Sequence, residues 1–474
     1  MFRRVADMDI LSISRLLPDL RRAARESPEE SAKRRQVRLE RLVEYARARS
    51  PFHRERYAGL PGEIRDIRRL PPTSKRDLSA NFDAWSTDRA IRRETAEAFV
   101  SDPSLLGRLY LDRYVAFSTS GTTGTPAVLL QDRGAMTVYQ ALLLARRIPS
   151  LVSAGALPPF LRNRARTATI IATGGHFASS VVDALVRSVH PRLYGFNRTF
   201  SLMEPLPDLV RDLNVFQPAV LGSYSTALAV LAGEQEEKRL RIGPALVLSG
   251  AERLSPPLRE RISASFRCPV RDTYAASEFM GIAFDCRHGR LHVNADWVIL
   301  EPVDTSGDPV PQGGTSHTTL LTNLANRLQP LIRYDLGDSV TMLPGPCRCG
   351  SPLPGIRPEG RRDEILHVEP AGGASRPLLP LVLATVLEET PGLLRYQLLQ
   401  TGPRSLKLRA EEAPGRDRAA VRADALRRLG AYLSSQGLGS VSVEMADEPP
   451  EGVTSGGKPR QFLVERSSSS FRSP

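Results

Sequence analysis

The chain has 474 residues, 41% of them hydrophobic, and a formal net charge of +13; that length calls for two or three domains, each with its own core. No stretch approaches the roughly 18 consecutive apolar residues of a membrane-spanning helix, and none has the form of a secretory leader, so no membrane association is expected. The positive charge is interspersed with Asp and Glu along the whole length instead of gathered in a basic tail, which argues against nucleic acid as a partner.

Residues 12–50 read as helical, with Leu39, Leu42, Val43 and Ala46 on one face and Ser50-Pro51 as the stop. Two apolar runs, 114–117 and 127–130, read as strands on either side of Ser118-Thr119-Ser120-Gly121-Thr122-Thr123-Gly124-Thr125. The hydroxyls, amides and glycines of that loop could cradle phosphate oxygens; composition alone fits a plain hairpin turn equally well. A helix follows over 132–147. Three strands then end in small polar residues, at 168–173, 218–223 and 244–250, each followed by a helix, at 180–189, from 226 and at 255–266. This alternation predicts an α/β fold with a parallel sheet that binds ligands at its C-terminal edge.

From about 285 to 355 the pattern turns to short strands and Gly turns, which predicts a β-subdomain. Beyond Asp363 the order is strand 364–368, helix 378–389, strands 393–400 and 404–410, helix 417–435 and strand 440–445, a complete small α+β domain. The expected division is therefore a large domain over 1–362, a small one over 363–466 and a disordered Ser-rich tail over 467–474.

The four cysteines include Cys347 and Cys349, too close for a mutual disulfide. Without a secretory leader, a reducing cytoplasmic setting is expected. Cys286 and His292 form one pair and Cys347 and Cys349 a second, which fits a closed tetrahedral Zn²⁺ site; His288 competes as fourth ligand, and free thiols are the alternative. Only five lysines stand against sixty arginines. Where any cation serves, this chain uses Arg, so a retained Lys points to a need for a compact ammonium group. Lys458, in the loop Thr454-Ser455-Gly456-Gly457-Lys458, is the clearest such case.

Five motifs in order resemble those of the adenylate-forming superfamily, which includes acyl-CoA synthetases, peptide-synthetase adenylation domains and luciferases. They are the 118–125 loop, Ser249-Gly250-Ala251-Glu252, Tyr274-Ala275-Ala276-Ser277-Glu278, Arg333-Tyr334-Asp335-Leu336-Gly337-Asp338 and Gly457-Lys458. Ser50-Pro51-Phe52-His53, Leu70-Pro71-Pro72-Thr73-Ser74-Lys75 and Leu328-Gln329-Pro330-Leu331-Ile332-Arg333-Tyr334 resemble its phenylacetate-CoA ligase branch.

The resemblance implies ATP-dependent activation of a carboxylic acid, of aryl type, to an acyl-AMP with loss of pyrophosphate. Transfer to CoA would follow; a carrier-protein thiol or an amine is the alternative acceptor, and a non-catalytic nucleotide-binding protein the alternative class. A homodimer is left open. By resemblance, Ser120, Gly121, Thr122, Thr123 and Gly124 would meet phosphates, and Gly250, Ala251, Glu252, Tyr274 and Ser277 would line the adenine site. Glu278 would hold Mg²⁺. Asp338 would take the ribose hydroxyls, Arg361 would lie beside the ribose or phosphate, and Asp363 would be the hinge of a mobile C-terminal domain. Lys458 would neutralise charge at the α-phosphate. His176 and Phe177 would gate the acid tunnel, with Met136, Tyr139, Ser223 and Tyr224 near the acid pocket. The chain departs from many relatives in having no Lys at Thr125 or Ala127.

Overall fold

Ser27 and Pro28 break the expected N-terminal helix in two. In a computed structural model of the protein, helices span Ile10–Ala23 and Pro28–Arg49. Ser27 accepts from Glu30 N, Glu30 reaches back to the Ser27 amide, and Pro28 occupies the first turn, a combination that starts a new helix. The described residues are 10–464 without 119–127, 154–156, 174–175, 177, 190–195, 253, 360–365, 371–375, 379–381, 384–385, 388, 414 and 451–461. They fall into two units, one ending at Gly360 and the other drawn largely from Arg361–Pro474.

In the larger unit, β1 (Val115–Ser118) and β2 (Val128–Gln131) form an antiparallel pair. The main sheet takes β3 (Thr167–Ile171), β4 (Asn197–Ser201), β5 (Val220–Tyr224), β6 (Leu246–Gly250), β7 (Val270–Ala276), β8 (Phe279–Asp285) and β9 (Leu291–Val293). A second sheet holds β10 (Val298–Val303), β11 (Thr318–Asn323) and β12 (Tyr334–Asp335), and β13 (Val340–Leu343) and β14 (Gly355–Pro358) return to the first. The nine-stranded order is β13-β14-β9-β8-β7-β6-β5-β3-β4. β3, β5, β6 and β7 run parallel, as the strand–helix alternation predicts, and the sheet continues antiparallel through β8, β9, β14 and β13. The stretch expected as a β-subdomain is thus shared between two sheets, because β9, β13 and β14 find their ladder partners on the main one. Helix Arg133–Ser153 packs on β8 and on helix Ile10–Ala23, while helix Ser225–Glu236 packs on β5, β6 and helix Pro256–Phe266.

In the smaller unit, β15 (His367–Val368) pairs with β16 (Arg376–Pro377), and β17 (Leu393–Gly402) forms a hairpin with β18 (Ser405–Glu412). β19 (Ser442–Met445) joins β18 in parallel, and β20 (Phe462–Val464), absent from the sequence reading, joins β17. Helix Arg418–Ser435 begins at Asp417, whose carboxylate accepts from Ala419 N and Ala420 N. Among the described residues no helix is long and apolar enough to cross a membrane.

The branch-like motifs lie against one another. Thr73 N donates to Arg333 O, Asp335 N donates to Thr73 O, and Trp85 Nε1 donates to Pro330 O at 2.8 Å. Ser50 caps helix Pro51–Arg56, and His53 Nδ1 lies 3.0 Å from its Oγ. His53 is fully buried, and burial pushes its pKa from 6.5 down to about 3. The unfolded chain therefore takes up this proton first as the pH falls, so the stability it confers is complete above 6.5 and lost below. Between pH 6.5 and 5 this group should cost about 1.4 kcal/mol of stability per pH unit. Denaturation midpoints against pH should show that slope in the wild type and a shallower one in His53→Gln; parallel profiles would overturn the assignment.

Candidate active site

Tyr274 lies on β7, half-buried against the core, and its hydroxyl donates to Asp338 Oδ2 at 2.8 Å. The two residues come from motifs 64 positions apart. Asp338 is aimed by a local turn: Asp335 Oδ1 accepts from Gly337 N and Thr318 Oγ1, and Gly337 sits at φ +68°. Beyond Tyr274, the chain turns through Ser277 and Glu278 before entering β8, with Ala276 paired to Phe279. Ser277 O accepts from Gln131 Nε2, and Glu278 O accepts from Asn323 Nδ2 at 2.8 Å. Tyr274, Ser277, Glu278 and Asp338 are therefore gathered at the C-terminal end of one sheet strand, the edge where parallel sheets take ligands.

The next motif behaves differently. Gly250 ends β6 and Ala251 takes the left-handed conformation at φ +65°, uncommon for a residue with a Cβ. Glu252 Oε2 accepts from Thr226 N, Thr226 Oγ1 and Ser225 Oγ. Its carboxylate caps helix Ser225–Glu236, whose own N-cap, Tyr224, makes no side-chain cap bond. Ser223 Oγ donates to Ile170 O and Tyr224 accepts from Ala172 N, so both tie β5 to β3. Met136 and Tyr139 are core residues on helix Arg133–Ser153, 7% and 4% exposed; burial raises the Tyr139 pKa, which keeps its hydroxyl protonated. The Tyr139 hydroxyl is held by Gln131 and Asn323, so it supports the Ser277–Glu278 turn instead of facing open space. His176 is buried beside Phe99, its carbonyl accepts from Ser118 N, and burial lowers its pKa, which leaves the ring neutral. Ser120, Gly121, Thr122, Thr123, Gly124, Phe177, Arg361, Asp363 and Lys458 lie outside the described residues.

Cys286, His292, Cys347 and Cys349 bring their ligand atoms within 4.8 Å of one another. Cys286 Sγ is 3.7 Å from Cys347 Sγ, and Cys349 Sγ is 3.3 Å from His292 Nε2. Tetrahedral Zn–S bonds of ~2.3 Å put two sulfurs about 3.8 Å apart, so the spacing suits that ion. His292 Nδ1 lies 2.9 Å from Leu353 O. A proton on Nδ1 satisfies that carbonyl and leaves Nε2 bare toward the thiols, the tautomer a metal requires. His288 is exposed and takes a bond from Arg287, so His292 is the fourth donor. Without a cation, burial and the neighbouring thiols push Cys349 up to about 11.

No protein-family model matches the chain. Protein CapK of Staphylococcus aureus is 28% identical over 141 residues, 29% of this chain and 30% of its own length, so this chain spans less than a third of that relative. The phenylacetate-coenzyme A ligase of Escherichia coli K12 is 27% identical over 350 residues, 70% of this chain and 71% of that one. The Pseudomonas putida protein of the same name is 26% identical over 356 residues, 70% and 72%. The fold resembles that of 2-hydroxyisobutyryl-CoA ligase, solved with 2-HIB-AMP and CoA, at TM-score 0.57 and 20% identity, covering 94% of this chain and 92% of that one. Over about 70% of its length the chain is similar to phenylacetate-CoA ligases, and its fold is that of an adenylate-forming CoA ligase.

Of the residues that brace this site, Gln329 lies in a branch-like motif, but the bonding roles carried no sequence signal. Gln329 Oε1 accepts from Leu130 N, and Asn326 Nδ2 donates to Leu130 O, so two side-chain amides stand in for a strand along β2. Both are buried, and Asn326 Oδ1 in turn accepts from Leu328 N. Only the Asn/Gln content of 323–329 hinted at them. Gln329→Leu should strand the buried Leu130 amide and lower stability by about 1–3 kcal/mol. A denaturation midpoint equal to the wild type's would show that the amide finds another partner.

Proposed function

We propose that the protein uses ATP and Mg²⁺ to activate a carboxylic acid of aryl or arylalkyl type and then passes the acyl group to CoA, in the cytoplasm. The observation that carries this reading is the meeting of Tyr274, Glu278 and Asp338 at the end of β7. A carboxylate oxygen attacks the α-phosphorus, the bond to the bridging oxygen breaks, and pyrophosphate leaves with an acyl-AMP formed. The CoA sulfur then attacks the acyl carbonyl and AMP departs, the thiol proton passing to solvent. Glu278 would offer the carboxylate that a hard cation prefers beside phosphate oxygens. Asp338, steadied by the Tyr274 hydroxyl, would accept from the ribose hydroxyls. With no cation in the 118–125 loop, Lys458 would supply the point charge for the α-phosphate, Arg361 would stand by the ribose or phosphate, and Asp363 would be the pivot of the small domain.

Purified enzyme should release pyrophosphate from ATP in the presence of one member of a panel of carboxylic acids, and the product should then be sought with CoA, a carrier thiol and simple amines. No acid-dependent release from any member would overturn the ligase reading. Lys458→Ala should cut that release by about 10²–10³-fold, the scale of losing one electrostatic contact to the transition state, while ATP still binds. An undiminished rate would remove Lys458 from the mechanism.

The same reading gives the Cys286, His292, Cys347 and Cys349 cluster one structural Zn²⁺, since four protein donors leave no position for substrate. Elemental analysis should return about one zinc per chain. Cys347→Ser should lose the metal and lower the melting temperature; a metal-free wild type of equal stability would overturn the site.

A further inference from the structure

We propose that Gln131, Tyr139 and Asn323 are positioning residues that set where the Glu278 carboxylate stands; this rests on the reading of Glu278 as the metal-facing group. All three are nearly or fully buried, at 1%, 4% and 0% exposure. Asn323 Nδ2 donates to Tyr139 Oη at 2.7 Å and to Glu278 O at 2.8 Å. Tyr139 Oη donates to Gln131 Oε1 at 3.1 Å, and Gln131 Nε2 donates to Ser277 O at 3.2 Å.

The direction of this chain is fixed at its head. Asn323 Oδ1 accepts from Ala325 N and Asn326 N, so its amide cannot flip, and both Nδ2 protons are committed. The Tyr139 hydroxyl must then accept from Asn323 and pass its own proton to Gln131, whose nitrogen is left for Ser277. The result is a donor relay with both carbonyls of a two-residue turn as its ends. The Tyr139 ring is wedged edge-on against Phe279, the residue after Glu278, with ring centres 4.9 Å apart.

An apolar core would hold a hairpin here at less desolvation cost. Three buried polar side chains directed at one turn are costly unless fully paired, and these are paired. Their common product is the fixed backbone of Ser277 and Glu278. Gln131 also ends β2, the strand that follows the Ser/Thr/Gly loop in the chain, so the relay ties that strand to the acidic turn.

Tyr139→Phe keeps the packing and removes the link between Asn323 and Gln131. Acid-dependent ATP–pyrophosphate exchange should then need roughly ten times more Mg²⁺ for half-maximal rate, the usual loss when an outer partner of a metal-facing group is removed. The KM for the acid should stay at the wild-type value. Asn323→Asp, which keeps size and removes the donors, should shift Mg²⁺ dependence further than Tyr139→Phe. A lower melting temperature with unshifted Mg²⁺ dependence in both variants would make the relay merely structural and overturn the proposal. Wild-type enzyme run alongside separates the cases: no exchange in the wild type sinks the ligase reading and the relay with it, whereas normal wild-type exchange with unshifted variants sinks the relay alone.

Discussion

The site depends on how the buried edge of β2 is satisfied. β2 is half of a two-stranded sheet, so one edge of a strand with four buried residues has no ladder partner among the described residues. Buried amides and carbonyls must be paired. Leu130 finds its partners in the side chains of Gln329 and Asn326, which hold segment 323–329 alongside it. The chain continues from that anchor to Pro330, bonded by Trp85, and to Arg333, whose guanidinium donates to Leu70 O and pairs with Glu301. It then enters β12 and the Asp335 turn that delivers Asp338 to Tyr274. The placement of the Asp338 carboxylate thus follows from the pairing of a strand edge some two hundred positions earlier in the chain.

A few of the arginines serve the same kind of bond. Arg290 spreads one guanidinium nitrogen over the carbonyls of Leu343, Pro344 and Gly345. Arg38 donates to Asp296 O while its guanidinium stacks 3.7 Å from the Trp297 ring centre. Arg146 reaches Leu20 O and Asn294. A planar fork of donors suits such carbonyl clusters, and a lysine would not replace it. Only a minority of the positive charge is used this way: Arg271 and Arg333 are buried and Arg38, Arg146 and Arg290 half-buried, while most other described arginines face solvent.

What was legible in the sequence follows physical periodicity and residue chemistry. The face of Leu39, Leu42, Val43 and Ala46 is buried as its spacing requires, and the strand–helix alternation gives the parallel half of the sheet. Cysteine and histidine placement pointed to the Cys/His cluster, but the choice between His288 and His292 needed the Leu353 carbonyl. The Ser27 break is spelled by Ser27-Pro28-Glu29-Glu30, a capping box with Pro in the first turn, but the apolar periodicity used for 12–50 does not register it. Strand ends located Ser223, Tyr224 and Glu252 near the ligand edge, yet could not say that their polar atoms serve β3 and a helix terminus. Gln329 lies in a branch-like motif, but nothing in the sequence says what Gln131, Asn323, Asn326 and Gln329 bond to, since an amide that braces a backbone follows no period.

β8 joins these two kinds of residue. It is seven residues long, begins one step after Glu278 and ends one step before Cys286. Alternate side chains of a strand face opposite ways, so a slip of one residue would invert every buried contact of β8 and rotate both flanking groups away from their partners. The amide relay fixes the entry of the strand and the Cys/His cluster fixes its exit. The Cys/His cluster therefore bears mechanically on the acidic turn: it holds the far end of the strand whose near end carries Glu278, and the strand's register is determined from both sides.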